Sequence, residues 1–411
     1  MNPWPIVIAD LRHLRWVAWA VPLLVAIAVA IGVAVGAQER ALRASSARAA
    51  DDFDLLIGAP GSQTQLVLTT VYLQPEAVTL LDGAILKLLA MDARVAAAAP
   101  ISFGDSVRGY PVIGTTRDFA TRWGRISPSE GRLFANVREA AIGADVKLEI
   151  GEDVTPSHGV GAHRSTLGIE TSEEREHLHD GFRYKVTGRL PPLGSPWDRA
   201  ILVPIESVWE LHGLGNGHAG SGAPIGPPYD AEHVPGVPAI VVKPKSVAAA
   251  YGLRGQYRQG GTMALFPAEV LVSIYRTMGD IRDALVIISA LNNALVFTAT
   301  ILLLIALAGL RRKRYAVLRA LGAPRLYILL AVWLQTVLLL TAGALAGLLL
   351  AFAVTKAVSL AVEASTGLNL TVGIAAPDLY FVAALIGFGS VLGLIPALIS
   401  YRISVSAALR G

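Results

Sequence analysis

ALVIISALNNALVFTATILLLIALAGL (residues 284–310), followed directly by RRKRYAVLRALGAPR (residues 311–325), decides how this chain is built. Crossing the hydrocarbon core of a membrane takes roughly 20 largely apolar residues, and 284–310 contains no Asp, Glu, Lys or Arg. The segment after it carries Arg311, Arg312, Lys313, Arg314, Arg319 and Arg325 and no acid. Lys and Arg are retained on the cytoplasmic side of a membrane helix, so the apolar run ends in the cytoplasm. The basic segment has a pattern of its own. Val317, Leu318 and Leu321 form an apolar stripe, and Gly322 and Pro324 stop it. That predicts a short amphipathic helix on the cytoplasmic surface before the next span.

Three further runs are long enough to span: Trp16–Ala37, Leu326–Val354 and Leu379–Ile399. The first exceeds the roughly 7–15 apolar residues of a signal-peptide core and reads as an uncleaved signal anchor. Arg12 and Arg15 precede it, and Arg402 and Arg410 follow the last run. The loop 355–378 sets Lys356 against Glu363 and Asp378. Both termini and 311–325 therefore face the cytoplasm, with 38–283 and 355–378 outside. Gly343 and Gly347, and Gly389 and Gly393, are spaced to let helix backbones approach closely, although glycine is common in membrane helices in general. Asn292 and Asn293 are uncharged and suit a bond to a neighbouring helix better than a transported ion.

The bulk numbers agree. The chain has 411 residues, 53% hydrophobic and 16% charged, against about 25% charged in a soluble domain. Its mean hydropathy is +0.53. The net charge of +4 is small, and Lys and Arg are not interleaved with aromatics on any groove-reading element, which speaks against nucleic acid. With no cysteine there are no disulfides, thiolate metal sites, Cys nucleophiles or lipid-modified N-terminal Cys.

Between the first two spans the pattern is α+β. Residues 38–52, rich in Ala and Arg, continue the first helix outward, and Ala268–Asp283 leads helically into the second span, together forming a stalk. Phe53–Ile57, Gln65–Tyr72, Val95–Ala99, Ser106–Gly114, Tyr184–Leu190, Ala200–Pro204 and Ala239–Lys243 read as strands. Pro75–Met91, with Leu80, Leu81, Ile85, Leu88 and Leu89 on one side, and Ile205–His212 read as helices. Gly213–Pro238, rich in Gly, Pro and His, reads as a flexible loop.

No Gly-Lys-Ser/Thr ending, Gly-x-Ser-x-Gly elbow or His-Glu-x-x-His occurs, so neither a P-loop ATPase nor a familiar hydrolase is written into this chain. Seven of the eight histidines lie in the external segment. Thr171–Glu174 has the form of a capping box, which predicts a short helix over 172–180. On it Glu173 with His177, and Glu176 with His179, are spaced to share a divalent metal such as Zn²⁺. No third ligand is fixed by spacing, and a solvated charged helix is the plainer reading.

Residues 312–325 resemble the signature of the FtsX-like permeases: a basic run, the core Leu318-Arg-Ala-Leu-Gly-Ala323, then a span. The end, Ile395–Arg402 followed by Ser406–Arg410, resembles that family's terminus. One span, a large external domain and then three spans is similar to the MacB and LolC/LolE branch. The fold implied is an α-helical membrane protein with four transmembrane helices and a large α+β periplasmic domain on a helical stalk. That domain would have a porter-like part (about 51–115 and 195–270) and an inserted subdomain (about 116–194). The domains implied are 1–37, the N-terminus and first helix; 38–283, the MacB-like periplasmic domain; and 284–411, the FtsX-like domain. The resemblance further implies a type VII ABC transporter permease in the bacterial inner membrane, not itself an enzyme. ATP and Mg²⁺ would be used by a separate cytoplasmic ABC ATPase, which docks on Arg312, Arg314, Val317, Leu318, Arg319, Leu321 and Gly322. A second permease copy, membrane lipids and a periplasmic adaptor or substrate-binding protein are the other implied partners. The cargo class would be a lipoprotein, peptide, lipid or drug-like molecule. Two alternatives stand beside this: a helix held on the surface by anionic lipids, and a membrane-anchored, metal-responsive periplasmic receptor without transport.

Overall fold

The computed structural model of the chain describes residues 2–13, 15–74, 76–158, 177–178, 181–220 and 224–401. Its elements begin with α1 (Trp4–His13), α2 (Arg15–Ala50), β1 (Leu55–Gly58), α3 (Gln63–Thr70), α4 (Ile85–Met91), β2 (Val95–Val107), β3 (Tyr110–Thr115) and α5 (Arg117–Ala120). There follow β4 (Glu130–Gly131), β5 (Glu139–Ile142), β6 (Asp153–Val154), β7 (Ser157–His158), β8 (His177–Leu178), β9 (Tyr184–Arg189) and β10 (Ile201–Pro204). Next come α6 (Ile205–Leu211), β11 (Ala239–Pro244), α7 (Val247–Gln256) and β12 (Met263–Leu265). The last are α8 (Pro267–Leu310), α9 (Arg312–Ala320), α10 (Arg325–Thr366), α11 (Ala376–Leu392) and α12 (Leu394–Tyr401). The chain divides into two compact units. One comprises Arg43–Thr277 and Val362–Asn369; the other comprises Met1–Leu42, Met278–Ala361 and Leu370–Gly411.

In the helical unit, four helices among the described residues are long and apolar enough to cross a membrane: Trp19–Ala50, Val286–Ala306, Arg325–Glu363 and Ala376–Tyr401. They fall where the four apolar runs are. Val25, Val29, Phe297, Leu340, Ala344 and Val382 pack together inside, while Leu295, Leu302, Leu349, Phe388 and Val391 face outward. Lipid tails are as apolar as these side chains, so that exposure carries no penalty in a bilayer. Arg40 of α2 donates to both oxygens of Asp378 at 2.8 and 2.7 Å. Asp378, in the first turn of α11, also accepts the Ala375 amide at 2.9 Å, a favourable place for a carboxylate. Asn293, expected to reach another helix, donates to Ser289 O of its own helix at 2.7 Å.

The other unit is built on one continuous sheet in the order β12-β1-β11-β2-β3-β10-β5-β9-β4. The long strand β2 joins its halves. Val95–Ile101 pair antiparallel with β11; Ser102–Val107 pair with β3 across a register shift between Ser102 and Asp105. Side-chain alternation assigns the layers. Leu56, Val241, Ile113 and Leu202 project into a core with Phe53, Phe119, Phe134 and Trp197. Leu55, Ile57, Ile240 and Val242 project the opposite way, under α4, α7 and Trp209. Val107, Val112, Ile142, Tyr184, Ile201 and Val203 form a third cluster. Burial on both faces explains why β1, β10 and β11 read as unbroken apolar runs. Arg122 sits inside the first core, its guanidinium 4.6 and 4.5 Å from the Phe119 and Trp197 rings and bonded to Asp52 at 2.8 Å. Burial pushes it down to about 10 against the opposing pull of Asp52.

Several expectations are corrected here. Gln65–Tyr72 is not a strand; α3 occupies Gln63–Thr70. Ser62 caps it, accepting from Gln65 N at 3.3 Å, and Thr69 Oγ1 donates to Gln65 O at 2.8 Å. Among the described residues of 75–91, only Ile85–Met91 is helical. Leu81 pairs with Val237, and Leu80 and Leu88 are exposed, so the buried stripe is Leu81, Ile85, Leu86 and Leu89. The described part of Gly213–Pro238 is laid against α6, where Gly226 N donates to Glu206 at 2.6 Å and Tyr229 meets Trp209 edge to face. Apart from these corrections, the stretch 116–194 supplies β5, which pairs with β10 and continues the main sheet.

Glu139, at the start of β5, is held by two 2.6 Å bonds from Arg132 and a 2.7 Å bond from Ala135 N. The Arg132 bonds first, and the amide after burial's opposing effect, hold its carboxyl down to about 2, against an ordinary 4.5. A lowered carboxylate contributes stability above its unfolded value and loses it as pH falls through the folded one. Unfolding free energy is therefore expected to drop between about pH 4.5 and about pH 2. Glu139→Gln should flatten that limb in denaturant titrations across this window. The Arg132 side chain is 58% exposed, so solvent screens the pair and the slope is shallow.

Candidate coupling helix and helix-packing sites

The basic segment folds as predicted, as the short helix α9 between α8 and α10. Its end is fixed by glycine: Gly322, at φ +100°, follows the helix as its left-handed stop. Gly322 N donates to Arg319 O at 3.1 Å and Ala323 N to Leu318 O at 3.0 Å. These are the two closing bonds of a Schellman turn, which satisfy carbonyls left over at the helix end. A Cβ at Gly322 would meet no atom within 4 Å, so the requirement there is conformational.

One side of α9 is welded to its own bundle. Tyr315 is buried with Tyr327, Ile328, Val332 and Ala397, and Leu318 packs partly against the same cluster; Ala316 is buried too. Arg311, just before the helix, is 5% exposed. Its Nη1 donates to Asp10 Oδ2 and to Gln335 Oε1, both at 2.8 Å. That ties the start of α9 to α1 and α10. The sequence reading passed over this anchor. Its signals were Asp10, an acid in a basic N-terminal segment, and Gln335, a polar residue in an apolar run.

The other side of α9 points away from the bundle. Leu321 is 80% exposed and Val317 47%, with Lys313 and Arg314 exposed beside them. Arg312 opens the helix, and Arg319 is half-buried. Of the residues expected to meet a partner, Val317, Leu321 and Arg314 are presented outward, whereas Leu318 is partly committed to its own protein.

The paired glycines stand at helix crossings. A Cβ on Gly343 would lie 2.8 Å from Pro22 O and from Val25 Cβ, and one on Gly347 would lie 2.7 Å from Ala26 O and from Val29 Cβ. Gly389 lies under Leu340 and Phe297, and Gly393 against Thr336.

The expected metal cluster fares differently. His177 lies in β8, not in a helix, paired across the ladder with His158. Glu173, Glu176 and His179 lie outside the described residues. Among the described side chains, no three His, Asp or Glu groups converge on a metal position.

Residues 286–407 match the FtsX-like permease C-terminal family. That part of the chain is similar to FtsX-like permease domains. The permease match covers α9, the turn at Gly322 and all four paired glycines. Among solved structures, the periplasmic region of MacB from Actinobacillus actinomycetemcomitans is similar at 10% identity and TM-score 0.32, covering 56% of this chain and 95% of that one. The extracellular domain of the noncanonic ABC-type transporter YknZ from Gram-positive bacteria is similar at 13% identity and TM-score 0.29, covering 52% and 98%. No curated protein matches the sequence.

Proposed function

We propose that this chain is the permease subunit of a type VII ABC transporter in a bacterial inner membrane, with its sheet domain in the periplasm. A separate cytoplasmic ATPase supplies ATP hydrolysis. The observation that carries the reading is α9: a rigid helix in a matched permease domain, fixed to its bundle through Arg311 and Tyr315, that offers an apolar and cationic face outward. A helix so fixed passes a push on that face directly into α8 and α10. Motion of the helices would be passed on to the sheet domain (mechanotransmission). Work done there would extract or export a lipoprotein, peptide, lipid or drug-like cargo. A second copy of the chain would complete the machine, embedded in lipid, with a periplasmic adaptor or substrate-binding protein as a further partner.

The test is biochemical and topological. The purified chain should co-purify with an ABC ATPase and raise its hydrolysis rate in lipid. A reporter active only outside the cytoplasm should work after Gly215 and fail after Arg314. Activity after Arg314 would place α9 on the wrong side of the membrane for any ATPase and end the proposal.

A further inference from the structure

The Gly-, Pro- and His-rich stretch after α6 is fastened to an acid that burial makes costly. Glu206, in the first turn of α6, is 3% exposed. Its Oε1 accepts from Gly226 N at 2.6 Å. The cation facing it is His218, whose Nε2 lies 3.9 Å from the same oxygen. That distance is within reach of an ion pair and too long for a hydrogen bond. Nε2 is itself buried and, among the described residues, bonds to nothing. A carboxylate out of water needs a proton or a cation to balance it. Imidazole is the side chain whose ordinary charge change falls between about pH 5 and 8. Either a proton on Glu206 or one on His218 supplies the balance; with neither, a bare carboxylate is left buried.

The surrounding contacts close on the same point. Trp209, three residues on from Glu206, meets Tyr229 at 5.7 Å between ring centroids, and the His218 ring lies 5.6 Å from Tyr229. Gly217 fits beneath both larger rings: a Cβ there would stand 2.8 Å from Trp209 and 3.1 Å from Tyr229. Gly217 O accepts from Asp230 N at 2.9 Å. Residues 213–220 and 224–237 are thus tied to each other and meet α6 at Glu206 and Trp209.

The other titratable groups here hold one state. Burial first, and then the Glu206 charge, push the Tyr229 phenol well above its ordinary value, with Asp118 of α5 adding to the effect, so it stays protonated. Asp230 bonds to the exposed His233 at 3.1 Å and feels Lys87 of α4. Glu210, the next acid on α6, faces Arg138 at 3.8 Å. Glu206 differs from these. Burial raises its carboxyl above the ordinary value, against the pull of the Gly226 amide and of His218.

We propose that Glu206 and His218 form a proton-operated clasp, which holds residues 213–220 and 224–237 closed over Trp209 at acidic pH and releases them as pH rises. The sign follows from linkage. The closed form binds the shared proton more tightly than the open form, where both groups are in water, so acid favours closure. One linked proton shifts the closing equilibrium by at most about tenfold per pH unit. The clasp lies within the sheet domain and does not depend on the transport reading.

Hydrogen exchange of the full-length protein in detergent, read by mass spectrometry on peptides covering 224–237 and corrected for the intrinsic pH dependence of exchange, tests it. Protection in wild type should fall about tenfold or more between about pH 5.5 and pH 8, relative to peptides from β11. Glu206→Gln keeps an acceptor for Gly226 N and removes the charge, so its protection should be the same at both pH values. His218→Gln should act in the opposite sense: ionised Glu206 then has no cation, and the opening midpoint moves to lower pH. If Glu206→Gln does not elute as wild type does, the His218→Gln midpoint decides. The proposal is overturned if wild-type protection is equal at both pH values, if a folded Glu206→Gln keeps the wild-type pH dependence, or if the His218→Gln midpoint stays at the wild-type value.

Discussion

Gly347→Leu is expected to prevent the helical unit from assembling, and Gly343→Leu to do nearly the same. The reason is what stands opposite. The first atom added at Gly347 would sit 2.7 Å from Ala26 O, and at Gly343 2.8 Å from Pro22 O. These are backbone atoms of α2, which cannot rotate aside as the end of a long side chain can. Forcing bulk into a well-packed site costs about 1–3 kcal/mol when side chains can adjust, and here the adjustment must separate two helices. Separation also strips contacts from Val25, Val29 and Ala344, which pack in the same cluster. With packing as a main driving force between helices in lipid, that loss is not recovered elsewhere. Gly387→Leu is the control, since a Cβ there meets nothing within 4 Å. Thermal unfolding in detergent and the monodisperse fraction on size exclusion report the outcome. A Gly347→Leu protein that melts like wild type would mean that the α2–α10 crossing does not hold the unit together.

The parts of this molecule legible in its sequence are those where one physical signal dominates. Apolar runs longer than 20 residues have few alternatives, so all four spans were readable, and so was α9, bounded by Arg311 and by Gly322–Pro324. Strands buried on both faces, such as Leu55–Gly58 and Ala239–Pro244, announce themselves as apolar runs. The failures come where local propensity and packing disagree. Gln65–Tyr72 carries two Thr and two Val and reads as a strand, but Ser62 caps a helix over Gln63–Thr70, and Leu66, Val67, Thr69 and Thr70 are buried from it. Propensity differences of a few tenths of a kcal/mol per residue yield to such burial. Glu139–Ile142 was missed because four residues are too few for periodicity to register.

The anchoring constellation was the least legible. Arg311 with Asp10 and Gln335 unites residues far apart in the chain. A row set by strand register cannot be read before the register is known, because a slip of one residue moves every side chain to the other face. The sequence drew attention to His177 through its nearest neighbours, and the sheet pairs it with His158 instead. Val362–Asn369 was likewise unreadable as part of the sheet domain: it is a short loop between spans by sequence, yet Leu368 packs against that domain's core.

Leu321→Asp, and separately Val317→Asp, should release the ATPase while leaving the permease folded. Leu321 is 80% exposed and Val317 47%, so a charge at either disturbs little in the isolated subunit. Full burial of a Leu or Val side chain in a partner's groove is worth roughly 1.5–3 kcal/mol. Replacing that gain with a desolvated carboxylate should weaken binding by at least about tenfold, the equivalent of 1.4 kcal/mol. Arg314→Ala should weaken it less, and its effect should shrink as salt rises, because a rim charge acts mainly through long-range attraction. Leu318→Asp is a poor probe on its own. Leu318 packs against Tyr315, Tyr327 and Val332, so a charge there undermines the seat of α9 and removes the ATPase for a different reason. The comparison is therefore between Leu321→Asp, with a wild-type elution profile and no bound ATPase, and Leu318→Asp, with a lowered melting temperature as well. The measurement is co-purified ATPase and stimulated ATP hydrolysis in lipid, at low and high salt. If Leu321→Asp and Val317→Asp both retain full coupling, the outward face of α9 is not the ATPase contact. Its Lys313 and Arg314 would then be better explained as holding the helix against anionic lipid headgroups.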